Sequence, residues 1–209
     1  METFTPEDLT LGGVAVVRIL GIDPGTMLVG YGCLAVDERA AAKAGSAPLA
    51  LLASNVVRPP ARSRVEIVAA GALRLGRRGD PIEARLCLLM RSFAALLDDL
   101  LPHEVALEEA FHGKSVQSAL RIGEARGVVL AESGKRGIPV HQYSPARIKR
   151  CVTGSGAAGK EAVAAMLRRL LPGADALEGD LPPDATDGLA VALTRAEERR
   201  SPLLGLVGS

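Results

Sequence analysis

The sequence predicts an α/β fold, a mixed five-stranded sheet with helices on both faces. Three observations point to it. Apolar runs of strand type open the chain with short connections, which implies antiparallel pairing. Helical and strand patterns then alternate, which implies parallel pairing through helical crossovers. The 209 residues, 48% of them hydrophobic, are enough for one domain with a substantial core.

Taken in order, residues 1–13 read as a loose amino-terminal extension, 14–198 as the domain and 199–209 as a tail. Runs 14–23 and 28–37 form a hairpin about Pro24-Gly25, where proline fixes φ and glycine tolerates a left-handed backbone. Residues 47–57 are expected to form an edge strand. Residues 58–80 carry Arg58, Arg62, Arg64, Arg74, Arg77 and Arg78 against only Glu66 and Asp80. That stretch reads as an insertion or arm with a basic face, or equally as a solvated loop. Leu86, Leu89, Phe93, Leu96, Leu97 and Leu100 recur at helical spacing, so 82–101 is a helix with Pro81 at its first turn. A strand at 104–108, a helix at 116–135 and a strand at 138–143 follow. Ala119, Gly123 and Gly127 lie on or near one stripe of that helix and permit close packing. Ser144-Pro145 opens a short helix to Val152, 154–159 is a loop, 160–171 a helix, 172–183 a linker and 183–198 the last helix.

Composition excludes several classes. The charge balance is 25 basic against 24 acidic residues, so a nucleic-acid surface must come from local segregation of charge. No apolar run reaches the ~18 residues of a membrane span. The acidic start, Met1-Glu2 to Asp8, lacks the basic region of a signal peptide. Cys33, Cys87 and Cys151 are far apart and lack metal-ligand spacing, as expected of reduced thiols in a cytoplasmic protein.

Four carboxylates stand out. Asp23 ends the first strand and Glu108 the fourth, and ligands gather at the carboxyl ends of neighbouring strands in such sheets. Asp184 and Asp187 share one helix face at i and i+3. Each has a plain alternative: a carboxylate at the place of Asp23 either caps its turn or binds something, and acidic residues are ordinary at helix starts. Converging, the four would repel one another unless metal ions neutralised them, and hard oxygen donors suit Mg²⁺ or Mn²⁺.

Several segments, in this order, resemble the RuvC family of Holliday-junction resolvases within the ribonuclease H-like fold. They are Gly21-Ile22-Asp23-Pro24-Gly25, Gly30-Tyr31-Gly32, Ala106-Leu107-Glu108-Glu109-Ala110-Phe111, Ser118-Ala119-Leu120 and Glu124-Ala125-Arg126-Gly127. Val152-Thr153-Gly154-Ser155-Gly156 with Lys160, and Asp184-Ala185-Thr186-Asp187-Gly188-Leu189-Ala190, complete the set over roughly residues 17–195. The resemblance implies that Asp23, Glu108, Asp184 and Asp187 bind two Mg²⁺ ions, with Mn²⁺ as a substitute. It further implies paired symmetric nicks in a four-way DNA junction, leaving 5′-phosphate and 3′-hydroxyl ends, in recombination and repair. The implied partners are a second copy of the chain and a branch-migration motor complex of the RuvA and RuvB type. Strand alternation sends Glu109 to the other face.

Phe111 either packs in the core or contacts bases at the junction centre. Lys114, Arg147, Lys149, Arg150 and Lys160 are phosphate contacts or solvated surface, Lys160 having the best family match. Tyr143 stacks or packs, and His103, His112 and His141 have no partner at metal spacing. Residues 154–160 fit P-loop spacing, but Glu161 stands where a Ser or Thr should hold Mg²⁺ and a helix precedes the loop. Asp23-Pro24-Gly25-Thr26 also resembles the phosphate loop of actin-like sugar kinases, which need two such lobes where this chain provides one. A non-enzymatic junction binder is the alternative reading, and retention of all four carboxylates argues against it.

Overall fold

The computed structural model describes residues 16–37, 65–109, 115–171 and 183–200. Strands β1 (Val16–Pro24), β2 (Leu28–Asp37) and β3 (Val65–Arg74) come first, then helix α1 (Ile82–Leu100) and strand β4 (Glu104–Glu108). Helix α2 (Val116–Lys135), strand β5 (Val140–Tyr143), and helices α3 (Pro145–Thr153), α4 (Lys160–Leu170) and α5 (Pro183–Arg200) follow. The sheet order is β3-β2-β1-β4-β5. β1–β2 and β2–β3 pair antiparallel, and β1–β4 and β4–β5 pair parallel. The expected mixed five-stranded sheet is therefore present, with helices on both faces.

Two expectations need correction. The third strand is Val65–Arg74, inside the stretch read as a basic insertion, whereas the expected strand at 47–57 lies outside the described residues. Counting arginines over 58–80 hid it, because they cluster at 58–64 and 74–78 on either side of the apolar run Val65–Leu73. The last helix also runs on through Arg199 and Arg200, residues assigned to the tail. At the first turn, Gly25 has no left-handed backbone. Its amide donates to the Leu28 carbonyl at 2.9 Å, and a Cβ there would stand 2.3 Å from that oxygen. Glycine is needed for space, not for φ.

Side-chain alternation along the strands divides the core. Leu20, Ile22, Cys33, Val105 and Leu107 pack against Leu89, Phe93 and Leu97 of α1 and Ala125 and Val129 of α2. Ile19, Leu34, Ala106 and Tyr143 face Leu189 and Leu193 of α5, with Ile148 of α3 and Val163 of α4. Tyr143 is thus a packing residue. Each fully buried Leu, Ile, Val or Phe among them contributes about 1.5–3 kcal/mol over exposure. Arg18 ties β1 to the end of α1, donating from Nη1 to the Leu100 carbonyl at 2.9 Å.

Helix α5 touches the sheet through its backbone. A Cβ on Gly21 would lie 2.2 Å from the Gly188 carbonyl oxygen, and one on Gly32 2.6 Å from the Leu189 nitrogen. One on Gly30 would lie 2.0 Å from the Asp184 carbonyl oxygen, and one on Gly188 2.5 Å from the Tyr31 carbonyl carbon. All four obstacles are main chain, which no side-chain rotation relieves.

At the other end of α5, Arg195 donates from Nε and Nη2 to the two oxygens of Glu104 at 2.7 and 3.3 Å. Arg199 donates to the same carboxylate. Arg195 Nη1 reaches Glu198 at 3.0 Å, and Glu198 also accepts from the Tyr143 hydroxyl and, at 2.5 Å, from Arg147. Burial pushes the pKa of Glu104 up, but the hydrogen bond from Arg195 and the charges of Arg195, Arg199 and His141 outweigh it, and the net shift is downward. Glu198 is likewise pushed up by burial and carried below its ordinary value by Tyr143, Arg195 and Arg147. His141 is lowered, first by burial and then by the Arg195 charge.

Two predictions follow from this packing. Gly32→Ala overpacks a backbone contact, which costs about 1–3 kcal/mol or more. At roughly 2–4 °C per kcal/mol for this size, calorimetry should show a melting temperature lower by about 5–10 °C, and an unchanged value would contradict the close approach. The second concerns pH. Below about 6.5 the unfolded chain protonates His141 while the fold resists. Below about 4.5 it protonates Glu104 and Glu198 while the fold holds them ionised. Both losses occur on acidification, so stability should be flat near neutrality, decline below about 6.5 and decline more steeply below about 4.5. Denaturant titrations across pH check this, and a stability maximum near pH 5 would contradict it.

Candidate active site

Asp23 and Glu108 meet because their strands are neighbours. β1 and β4 pair in parallel with Ile22 opposite Leu107, so Asp23 and Glu108 are the next pair along. Ile19 faces α5 while Leu20 and Ile22 face α1 and α2, so alternation turns Asp23 to the α5 side. On β4, Glu104 reaches Arg195 of α5 and Ala106 packs in the same layer, so Glu108 follows.

Asp184 and Asp187 arrive from the first turns of α5. The Asp184 carbonyl lies over Gly30, and Gly30 is the β2 partner of Asp23. Asp23, Glu108 and Asp187 line one cleft of about 280 Å³, together with Lys149 of α3 and Lys160 of α4. Asp184 stands one helical turn before Asp187, and its charge reaches Lys160 as that of Asp23 does. Glu109 also lines the cleft. It lies one residue past β4, with its amide still donating to the Tyr143 carbonyl at 2.9 Å, so strand alternation alone does not set it apart from the site.

Lys160 opens α4 and places Nζ 2.9 Å from Asp187 Oδ2. Asp187 raises the lysine pKa by hydrogen bond and charge, and Asp23 and Asp184 raise it further. The amine is therefore a fixed cation and not a base. Its side chain is 80% exposed, so the ion pair is a weak tie of about 0–1 kcal/mol that a second anion can displace.

The remaining predicted contacts scatter. Lys149 lines the cleft. Arg147 instead turns to Glu198 and lies 5.1 Å from the Tyr143 ring centroid, where it braces α5. Arg150 lies against the 154–159 loop, its Nη2 3.6 Å from where a Gly156 Cβ would be. Phe111 and Lys114 lie outside the described residues, as does His112. His103 Nδ1 accepts from the Arg18 amide at 3.0 Å, extending the β1–β4 pairing. The loop before Lys160 starts from Gly154, the left-handed cap of α3, so no strand leads into it as a P-loop requires.

Among the described residues, no three acidic, histidine or cysteine side chains stand close enough to hold one ion as placed. The ammonium of Lys160 occupies the space beside Asp187. The donor chemistry nonetheless fits a hard cation. The lining contains carboxylates and no histidine or cysteine, and two lysines face Asp23, Glu108, Glu109, Asp187 and the adjacent Asp184. Acid remains in excess, and a divalent ion would relieve it.

Comparison with known proteins identifies the family. The model of the family "Crossover junction endodeoxyribonuclease RuvC" matches residues 49–195. The curated RuvC of Porphyromonas gingivalis is 39% identical over 192 residues, covering 91% of this chain and 87% of that protein, a span too long to omit Asp23. That of Maricaulis maris is 36% identical over 189 residues, covering 90% of this chain and 96% of its own. Among solved structures, Thermus thermophilus RuvC in complex with a Holliday junction substrate superposes with a TM-score of 0.68 at 27% identity, over 89% of this chain and 96% of that one. The yeast mitochondrial Holliday junction resolvase Ydc2 shares the fold, with a TM-score of 0.57 at 16% identity over 95% of this chain and 87% of its own.

Proposed function

This chain belongs to the RuvC family of crossover junction endodeoxyribonucleases, and we propose that the cleft of Asp23, Glu108, Asp184 and Asp187 is where it hydrolyses DNA. The enzyme is a structure-selective nuclease that resolves four-way junctions in recombination and repair. The observation that carries the site assignment is convergence: two strand ends and one helix start bring Asp23, Glu108 and Asp187 to one cleft beside Lys160, with Asp184 one helical turn away and its charge reaching the same lysine.

In this reading the four carboxylates hold two Mg²⁺ ions, for which Mn²⁺ substitutes. When bound, such ions activate a water and stabilise the leaving 3′ oxygen. The chain's own residues do the rest. Lys149 and Lys160 face an incoming phosphate from two helices, and Lys160 exchanges Asp187 for the phosphate while keeping its proton. The products carry 5′-phosphate and 3′-hydroxyl ends. Arg150 and Lys114 add phosphate contacts, and Phe111 contacts bases at the junction centre.

Two symmetric nicks require two sites related by a two-fold axis, so the working form is a homodimer. The support for an α2 interface is a stripe on the helix face opposite the buried Ile122, Ala125 and Val129. Val116 and Leu120 are exposed there, 78% and 64%, as is Leu130. Gly123, Gly127 and Gly134 fall on the same face and have open space above them. The enzyme works in the cytoplasm with a branch-migration motor complex. No helix among the described residues is long and apolar enough to cross a membrane.

Asp23→Asn tests the site. The isosteric amide should keep the fold and lower cleavage of a synthetic four-way junction in Mg²⁺ by at least about a hundredfold. Junction binding in chelator should stay intact or tighten, because one repulsive charge is gone. Cutting near the wild-type rate would overturn the assignment. Leu120→Glu tests the interface: light scattering should give a dimer mass for the wild type at micromolar concentration and a monomer mass for the variant. A wild-type monomer even with junction present would contradict it.

A further inference from the structure

We propose that the Glu104–Arg195 ion pair is a positioning device for the nuclease site, acting through the tilt and register of α5. The proposal rests on the assignment of the four carboxylates above. Glu104 opens the strand that ends in Glu108, and Arg195 lies on the helix that begins with Asp184 and Asp187. The two separations match. Glu104 to Glu108 spans four residues of strand, about 13 Å, and Arg195 to Asp187 spans eight residues of helix, about 12 Å. The helix runs antiparallel to the strand, so fixing Arg195 on Glu104 fixes Asp187 beside Glu108.

The fixture is stiff. Glu104 is only 8% exposed. Arg195 grips both its oxygens, and a bidentate fork sets angle as well as distance. Arg199 adds a second arm, and Glu198 links Arg195 to Tyr143 on β5 and Arg147 on α3. Between this clamp and the acidic cleft lie the backbone contacts of Gly188 and Ala192 with Gly21. Helix α5 is thus seated on the sheet at two places, the glycine contacts and the ion pair. Like charges at its start favour sliding or turning it out of that seat, and the bidentate ion pair at its far end resists both motions. The ion pair thereby sets how far along its axis, and at what turn about it, the helix presents Asp184 and Asp187 to the strand ends.

The test uses the full chain and Mn²⁺ alone, counted as free ion by electron paramagnetic resonance. Glu104→Gln removes the charge from a residue that touches neither cation nor DNA. It should weaken Mn²⁺ binding by about tenfold, the scale on which groups supporting metal ligands act. Junction affinity in chelator should change less than twofold. A purely structural ion pair predicts something else for stability. Distant, independent sites add, whereas here the melting-temperature loss from Glu104→Gln should shrink in an Asp184→Asn background, which lowers the repulsion being opposed. Arg199→Gln, a milder cut that leaves the Arg195 fork, should shift both readouts the same way by less and guards against a variant that fails to fold. Unchanged Mn²⁺ affinity with additive melting temperatures overturns the positioning role while leaving the carboxylate assignment standing. A wild-type chain that binds no Mn²⁺ brings down both.

Discussion

The backbone-to-backbone seat of α5 on the sheet is the constraint on which the rest depends. Gly21, Gly30, Gly32 and Gly188 leave no room for a Cβ, because main-chain atoms of the opposing element occupy that space. Only at this separation do Asp184 and Asp187 descend to the level of Asp23 and Glu108. A single methyl at the seat would lift the helix and open the cleft, so fold and site share one geometric requirement. The hydrophobic layer of Ile19, Leu34, Leu189 and Leu193 supplies the drive to close that gap, and the glycines decide how far it closes.

Electrostatics work against this closure at one end of α5 and for it at the other. Carboxylates gathered in a half-enclosed cleft raise one another's free energy unless cations intervene. Lys160 supplies part of the relief, though its exposed side chain makes that tie weak and exchangeable. The firm ties lie at the opposite pole, where Glu104 and Glu198 are saturated by Arg195, Arg199, Arg147 and Tyr143. Like-charge repulsion at one end of the helix is thus set against a hydrogen-bonded ion-pair network at the other.

Much of this was legible in the sequence, for identifiable reasons. Asp23 and Glu108 end strands whose apolar runs are plain, and Asp184 and Asp187 show an i, i+3 spacing behind a proline. Helix boundaries at 82, 116 and 160 came from periodicity and capping residues and stand to the residue. What was missed has physical causes as well. β3 was hidden because arginines flank its apolar run, so that an average over the window read as basic loop. The glycine seat left its signal in Gly30-x-Gly32, two residues on one strand face, yet no single sequence says which element approaches that face. Arg147 looked like surface cation because its partner Glu198 is 51 residues away. Glu109 lies one residue past β4, where strand alternation no longer fixes the face of its side chain.

If strand ends and a helix start build one cation site from Asp23, Glu108, Asp184 and Asp187, a crystal of the chain grown with Mn²⁺ and phased on the metal's anomalous signal will reveal it. Anomalous density is expected between the β1 and β4 strand ends and the first turns of α5, with oxygens of these carboxylates as its protein ligands and Lys160 displaced from Asp187. Density bound elsewhere, or a cleft that keeps the Lys160–Asp187 pair with no metal at saturating Mn²⁺, would contradict it.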